Sequence, residues 1–201
     1  MRKLLCIISF VLCTGLLSQA FNPRLSYGLE WGYTATFYKA SQHNFICSEG
    51  YRIIENPDNR SFFSNGTVLA NVGMDLNSVL NASFHTGLIG VYSRRWMVPL
   101  ELRATCCPSG LHADGAFFQA GTALLIPTAE LYTPAFGARL GGGYRLAVYR
   151  NFSVDLLLSF TFTLDHESIT DPDTLQSVPA ADIKRNSSEY YGLNLSLAVN
   201  F

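Results

Sequence analysis

The stretch that decides the fold is GLNLSLAVNF, residues 192–201, in which apolar residues alternate with small or polar ones. Its apolar side, extended back by one position, carries Tyr191, Leu193, Leu195, Leu197 and Val199. A period of two is typical of a β-strand with two different faces. Because so regular a terminal strand is expected to be paired along its length, the pattern predicts further strands beside it.

The same alternation recurs in seven earlier segments, which begin near Leu25, Val68, Ala82, Val98, Gly115, Phe136 and Phe152. The segment from Gly115 alternates least clearly, because both of its faces are fairly apolar. Long polar connections span 39–65 and 165–188, whereas 77–81 and 149–151 are short. This arrangement predicts an all-β, eight-stranded, antiparallel up-and-down transmembrane barrel. The segment CCPSGLHADG, residues 106–115, is longer than a periplasmic turn is expected to be.

The first twenty residues predict a secretory signal peptide (1–20) ahead of a barrel domain (21–201). Arg2 and Lys3 precede an apolar run, and Ser18 and Ala20 are small residues suited to cleavage. The run is shorter than the 18 or so apolar residues of a spanning helix. Removing the two basic residues leaves 12 Lys and Arg (14 − 2) against 15 Asp and Glu, a net charge of about −3. That charge disfavours a nucleic-acid partner.

The apolar face of the predicted strands is expected to point outward into lipid. An eight-stranded interior holds little more than its own side chains or one small ligand, and the rings on this face would overfill it. Those rings are Trp31, Tyr33, Phe37, Phe84, Tyr92, Phe136, Tyr144, Phe152, Phe160, Phe162, Tyr191 and Phe201. The alternative is a soluble, lipocalin-like barrel with its apolar face inward.

Charged residues on the small face then point into the lumen, where opposite charges can pair. The predicted luminal network consists of Glu30, Asp75, His85, Glu101, Arg103, Arg139, Arg145 and Asp155. A three-residue turn at 149–151 sets a register that places Arg145 directly opposite Asp155 and predicts an ion pair. In so narrow a barrel, these charges favour a structural plug over a conduction pathway.

The hairpin GARLGGGYRLAVYRNFSVDLLLSF (137–160), the ending YYGLNLSLAVNF (190–201) and the eight strands resemble the small bacterial outer-membrane β-barrels of the OmpA/OmpX-like type, especially those of Bacteroidetes. The resemblance implies an outer-membrane location in contact with outer-membrane lipid. It also implies that periplasmic chaperones and the barrel assembly machinery act in biogenesis. The assembly signal would be Phe201 with the alternating residues from Tyr191 to Val199.

One short motif has residue types that could support catalysis. His166 and Ser168 in LDHESITD (164–171) are similar to the His-x-Ser pair of lipid A deacylases, but the following Asn of that family is absent. The spacing of Cys47, Cys106 and Cys107 does not match that of a zinc site. Because they are three, they cannot all be paired in disulfides within the chain, and their redox state stays open. We therefore expect neither a cofactor nor a metal, and a protein that is not an enzyme.

The function expected from the sequence is a structural, adhesion or surface-recognition role. It would act through the extracellular connections 39–65 and 165–188, toward a ligand that the sequence does not identify. A narrow porin-like channel and a lipid A-modifying hydrolase are the alternatives.

Overall fold

The computed structural model describes residues 24–60, 62–93, 95–128, 134–149 and 152–201, and the predicted signal peptide (1–20) lies outside them. All regular secondary structure in the described residues is β-strand. The strands are β1 (Arg24–Ile46), β2 (Arg52–Glu55), β3 (Asp58–Asn59), β4 (Phe63–Asp75), β5 (Leu80–Tyr92), β6 (Arg95–Cys106), β7 (Gly115–Pro127), β8 (Ala135–Tyr149), β9 (Phe152–Asp165) and β10 (Ile183–Asn200). The described residues contain no helix with the length and apolarity needed to cross a membrane.

Eight of the ten strands close into a ring. From β4 to β10 each strand pairs antiparallel with the next, and β1 closes the ring by pairing with both β4 and β10. The pairing of β1 with β10 runs from Gly28 opposite Asn200 to Phe45 opposite Ile183. Closure gives the backbone groups of the terminal strands a partner, which a structure in hydrocarbon requires. The prediction of eight barrel strands is confirmed, and β2 and β3 are additions outside the ring.

Side chains alternate across the ring strands between an apolar outer face and a crowded inner face. In β1, Leu29 and Tyr33 are 54% and 69% exposed, whereas Glu30 is 1% exposed. The other ring strands expose apolar residues in the same way, among them Val68, Val72, Leu88, Leu102, Phe118, Leu140, Leu146, Leu156, Leu158 and Leu195. A continuous apolar surface of this extent belongs in lipid rather than water. The soluble, lipocalin-like alternative is therefore excluded.

Two aromatic belts border this apolar face. Near one end, the rings of Tyr27 and Phe152 lie 6.2 and 5.3 Å from that of Phe201. Near the other, the rings of Tyr38 and Phe162 lie 5.7 and 5.3 Å from that of Tyr191. The ten residue-to-residue steps from Tyr191 to Phe201 rise about 25 Å along the barrel axis at roughly 3.3 Å per residue and a tilt of about 40°. That height matches the apolar band of a membrane barrel.

Above the second belt, β1 and β10 continue well beyond the membrane. A register shift between Thr36 and Tyr38 reverses the alternation of β1, so that Thr36 below it and Ser41 above it are both buried. The strands β2 and β3 pair with this upper part of β1. The prediction that 39–65 and 165–188 are loops is wrong where β1 extends to Ile46 and β10 begins at Ile183. The two strands extend because each gives the other's backbone a partner.

The connection between β9 and β10 folds onto these extensions. Ile169 and Val178 pack with Phe45 and Cys47 in a buried apolar cluster. The backbone amide of Ser48 also donates to Asp171 Oδ2 over 2.7 Å. We call residues 47–60, Phe62 and residues 166–182, together with the upper ends of β1 and β10, the extracellular cap; β2 and β3 lie within it. Long connections mark the extracellular rim of such a barrel.

The long turn at the opposite, periplasmic end is folded under the lumen. Cys107 N donates to Val79 O and Leu111 N donates to Ser78 O, both over 2.8 Å, so this turn is bonded to the neighbouring one. Cys107 and Leu111 are buried against Phe117. The unusual length of this turn therefore provides a lower seal for the barrel.

Candidate functional site

The centre of the lumen holds four charged side chains that we call the luminal quartet: Glu30 from β1, Glu101 and Arg103 from β6, and Arg139 from β8. Arg103 donates to Glu30 Oε2 over 2.7 Å and to Glu101 Oε1 over 2.9 Å. Arg139 Nη1 lies 3.2 Å from Glu30 Oε1, and its Nε lies 3.4 Å from Glu101 Oε1. Two cations and two anions make the quartet neutral, and its side chains are almost inaccessible to solvent.

Neutral polar side chains add hydrogen bonds around the quartet, and Arg103 Nη2 is buried without a hydrogen-bond partner among the described residues. The neutral side chains are Thr34, Gln119, Ser159, Asn194 and Ser196, none of which belongs to the predicted luminal network. Ser196 donates to Glu30 over 2.9 Å, and Gln119 accepts from Arg103 over 3.3 Å. Each lies at a position whose side chain points into the lumen when its strand alternates. That alternation is the sequence signal that could have identified these residues as luminal. The network joins strands on opposite sides of the barrel and fills the space between them.

The close packing around the quartet requires a glycine at position 121 of β7. A Cβ atom at this position would lie 2.7 Å from Glu101 Oε1 and 3.1 Å from the backbone oxygen of Leu102. Such distances are shorter than van der Waals contact allows. The quartet therefore depends on a glycine in the wall beside it.

The predicted ion pair between Arg145 and Asp155 is present, and the two residues are direct partners in the register of β8 and β9. Arg145 Nε and Nη2 donate to the two carboxylate oxygens over 2.8 and 2.6 Å, a bidentate arrangement. Asn200 also donates to Asp155 over 2.9 Å, and Arg145 donates to Leu111 O over 2.8 Å. The pair thus connects three barrel strands to the periplasmic turn.

Asp75 lies closer to the periplasmic mouth than the quartet does, and His85 is the direct strand partner of Glu101. Asp75 accepts from Asn81 over 2.8 Å and lies 3.3 Å from His112 Nε2. His85 Nε2 lies 2.9 Å from Ser83 Oγ. Both residues line a polar cavity of about 80 Å³ that also reaches Arg103 and Phe201. A luminal hydrogen-bonding role for His85 agrees with this position.

An apolar layer closes the lumen on the extracellular side of the quartet. Val91, Met97, Leu125 and Tyr190 are each at most 4% exposed and form one cluster. Thr36 on β1 donates across the barrel to the backbone oxygen of Val91 over 2.5 Å. The prediction that a polar network fills the lumen is therefore wrong at this level, because apolar residues with inward parity occupy it.

The prediction that the Tyr92 ring faces lipid is wrong. A register shift between Gly90 and Tyr92 interrupts the alternation of β5. The Tyr92 ring lies 5.4 Å from the ring of the buried Tyr190 and 4.3 Å from that of Phe63. Tyr92 consequently contributes to the closed upper end of the lumen.

Charged pairs hold the cap down over this upper layer. Lys39 Nζ lies 2.7 Å from Glu167 Oε2 and 5.1 Å from the centroid of the Tyr92 ring. The Tyr190 hydroxyl donates to the other oxygen of Glu167. Arg95 Nε donates to the fully buried Asp165 over 2.5 Å. The start of the 166–182 connection is thereby fixed to both sides of the mouth.

The residues of the hydrolase alternative lie at the edge of the cap. His166 Nδ1 is 2.6 Å from the carbonyl oxygen of Asn186. Within the described residues, no hydrogen bond joins His166 to Ser168, and no group of three His, Cys, Asp or Glu side chains is arranged to hold a metal. Cys47, Cys106 and Cys107 are all free thiols, and only Cys106 is exposed.

Hydrogen bonds shift two pKa values in the cap. The backbone amide of Asp173 donates to Asp171 over 2.9 Å, and with that of Ser48 it lowers the pKa of the Asp171 carboxyl. The hydrogen bond from Tyr51 to Asp173 raises the pKa of Tyr51 to about 12. The cap therefore contains a carboxylate that favours its charged form.

The predicted assembly residues occupy the outer face of the closing strand. Leu193, Leu195 and Leu197 are 45%, 57% and 37% exposed. Phe201 exchanges backbone hydrogen bonds with Tyr27, over 2.8 Å as donor and 3.2 Å as acceptor. The end of β10 is thus paired with β1, and its role in assembly stays a prediction.

Comparisons with solved structures return outer-membrane proteins. The chain is similar to the outer membrane protein AlkL in lipid bilayers, with TM-score 0.47 and 8% identity over 92% of this chain and 93% of AlkL. For OprG from Pseudomonas aeruginosa the TM-score is 0.45, with 8% identity over 88% and 95% of the two chains. For Ail of Yersinia pestis it is 0.34, with 11% identity over 89% and 99%. No protein-family model and no curated protein matches the chain.

The class of protein follows from the chain's own geometry. A closed antiparallel ring, an apolar outer face and two aromatic belts define a transmembrane β-barrel of the bacterial outer-membrane type. The eight-stranded ring and its side-chain filling place it among the small members of that class.

Proposed function

We propose that this protein is a sealed outer-membrane barrel that anchors its extracellular cap for surface recognition or adhesion. The observation that carries the proposal is closure of the lumen at three levels. The periplasmic turn around Leu111 forms the lowest level, the luminal quartet the middle one, and the apolar layer around Tyr190 the highest. A barrel filled in this way is suited to holding a surface structure in place.

The cap supports the recognition part of the proposal. It is fixed by the Phe45 cluster and by the Lys39–Glu167 pair, so its surface has a defined shape. It also exposes large apolar side chains: Tyr51 49%, Ile54 61%, Phe62 72% and Leu175 79%. Apolar residues presented by connections on a rigid scaffold are a common basis of recognition.

Conductance in planar lipid bilayers tests the sealed lumen. We expect the wild-type protein to give no single-channel steps, because the cavity below the quartet ends at Glu30 and Arg103, and the layer of Met97 and Leu125 closes the lumen above them. Replacing Met97 and Leu125 with glycine removes only the highest of the three levels and should still give no steps, as should the matched outward variant Val98→Ala. Steps in the wild type that change with Arg139→Gln would instead establish the narrow channel.

Attachment of bacterial cells to immobilised polysaccharides and matrix proteins tests the cap. Cells that display the wild-type barrel should attach to at least one surface of the panel, and Tyr51→Ser with Ile54→Ser should remove the attachment. Glu49→Ser is the matched control, since Glu49 is an exposed cap residue. Equal attachment by cells with and without the barrel would oppose the recognition role.

We further propose that the protein is not an enzyme. No hydrogen bond joins His166 to Ser168 in the part of the chain that the structure describes, which supports this, because a general base must reach the hydroxyl it activates. The lipid A of cells expressing the wild type and Ser168→Ala should have the same mass spectrum. A mass difference that depends on Ser168 would establish the hydrolase alternative.

The closing strand supports a role for the assembly machinery and its chaperones as partners. Phe201 must pair with Tyr27 before the barrel is complete. We expect Phe201→Ser to reduce the heat-modifiable, membrane-inserted fraction while export to the periplasm continues. The lipid-facing variant Leu158→Ala is the control, and equal insertion of both variants would oppose the role.

A further inference from the structure

Three neighbouring strands of the extracellular cap share one outward face. Asn44 of β1 is the direct partner of Arg185 in β10 and of Ile54 in β2, so these three side chains lie on the same side of the sheet. Phe45, with opposite parity, packs into the buried cluster of the cap. The face of Arg185 and Ile54 therefore points away from the interior of the cap, over the surrounding membrane.

This outward face is basic. Arg52 lies two residues before Ile54, and its Nε donates to Asn44 Oδ1 over 2.8 Å, which places it on the same face as Arg185. Lys184 lies at the register shift beside Arg185 and is exposed. We call Arg52, Lys184 and Arg185 the cationic wall. Among the described residues, none of the three forms an ion pair.

The height of the cationic wall follows from the strand geometry. Arg185 precedes Tyr191 of the upper aromatic belt by six residues along β10, which corresponds to about 15 Å at roughly 3.3 Å per residue and a tilt of about 40°. Glu189, four residues nearer the membrane than Arg185, accepts a hydrogen bond from the Tyr191 hydroxyl over 2.7 Å. Asp58 on β3 shares this lower level, because both acids flank Ala40 in register.

The face thus carries carboxylates at the membrane interface and cations farther out. We propose that the cationic wall binds the phosphate and carboxylate groups of the core saccharide of an anionic outer-leaflet glycolipid. The charges are complementary, and guanidinium groups suit oxyanions because they can donate two parallel hydrogen bonds. The acids below disfavour recognition of the lipid A phosphates as the main contact. The proposal rests on the outer-membrane location of the barrel and is independent of the recognition role of the cap.

The test is a titration of the full-length barrel, in a zwitterionic detergent, with fluorescent lipopolysaccharide that carries a phosphorylated core. Each basic residue near an anionic surface contributes about fivefold in affinity, so Arg52→Gln with Arg185→Gln should weaken binding about 25-fold. Arg52→Lys with Arg185→Lys keeps the charge and should retain most of the affinity. Arg24→Gln, at the periplasmic end, is the matched control and should bind like the wild type.

Two further probes separate the core from the membrane anchor of the glycolipid. Lipid A without core saccharide should bind the wild type and the double glutamine variant equally. A dephosphorylated core should bind the wild type more weakly than the phosphorylated one does. An unchanged affinity of the double glutamine variant, or equal wild-type affinity for the full glycolipid and lipid A alone, would overturn the proposal. Heat-modifiable gel mobility verifies that every variant is folded.

Discussion

Replacing Glu30 with glutamine should strongly destabilise the barrel. The Glu30 carboxylate is fully buried and receives hydrogen bonds from Arg103, Arg139 and Ser196. Without its charge, two buried guanidinium groups share the single carboxylate of Glu101. Removing one partner of a buried ion pair costs about 3–5 kcal/mol, a large part of the 5–15 kcal/mol that is typical of folded domains.

The second variant of this experiment restores charge balance. In Glu30→Gln with Arg103→Gln, Arg139 and Glu101 remain as one cation and one anion, with Nε and Oε1 3.4 Å apart in the native barrel. We therefore expect the double variant to cost about 1–3 kcal/mol less than the sum of the two single variants. Two like charges would no longer face a single opposite charge.

Reversible unfolding in urea from phospholipid vesicles gives the free energies, with folded and unfolded fractions read from gel mobility. Thr105→Val is the control, since Thr105 is a buried luminal residue without a hydrogen bond to the quartet among the described residues. A loss below about 1 kcal/mol for Glu30→Gln, or strict additivity in the double variant, would refute the reasoning from buried charge.

Three more outcomes follow from the structure. Gly121→Ala should lower the urea midpoint by displacing a quartet carboxylate, whereas Gly66→Ala, which meets only one side-chain atom at 3.8 Å, should not. Because the folded pKa of Asp171 is lowered, its stabilisation of the cap is present above the ordinary value of 3.8 and is lost as the pH falls through the folded value. Proteolysis within 166–182 should therefore accelerate in acid, and Asp171→Asn should show the faster rate already at neutral pH. In the folded barrel, a maleimide should modify Cys106 and spare Cys107, whose pKa is raised by burial; equal labelling would contradict the placement of the turn.

The membrane-spanning part of the fold was predictable because the lipid requires it. Apolar residues that face hydrocarbon and small or charged residues that face a narrow lumen give a period of two, and the register of Arg145 with Asp155 follows from one tight turn. Asn194 and Ser196 also occupy lumen-facing positions of this alternation. Neutral polar residues are common in strands of this kind, however, so their participation in the network could not be distinguished from mere exposure to the lumen.

The upper third of the barrel could not be predicted, for two physical reasons. The register shift at Phe37 reverses the alternation of β1 with no glycine or proline at the shift to signal it, and the shift between Gly90 and Tyr92 interrupts the alternation of β5. Above the membrane, polar residues also cease to indicate a loop, because strands there face water on one side. The apolar layer was missed since Met97 and Leu125 have inward parity but resemble lipid-facing residues in composition.

The register shift at Phe37 divides β1 into two segments, in which opposite sets of alternate residues face inward. Below it, a residue inserted or deleted would exchange the lipid-facing and luminal sets of the strand and destroy the barrel. Above it, the phase has already changed, so alterations in the cap do not propagate to the membrane segment. A change of length in the upper part of the strand therefore leaves the lipid-facing pattern of the lower part intact.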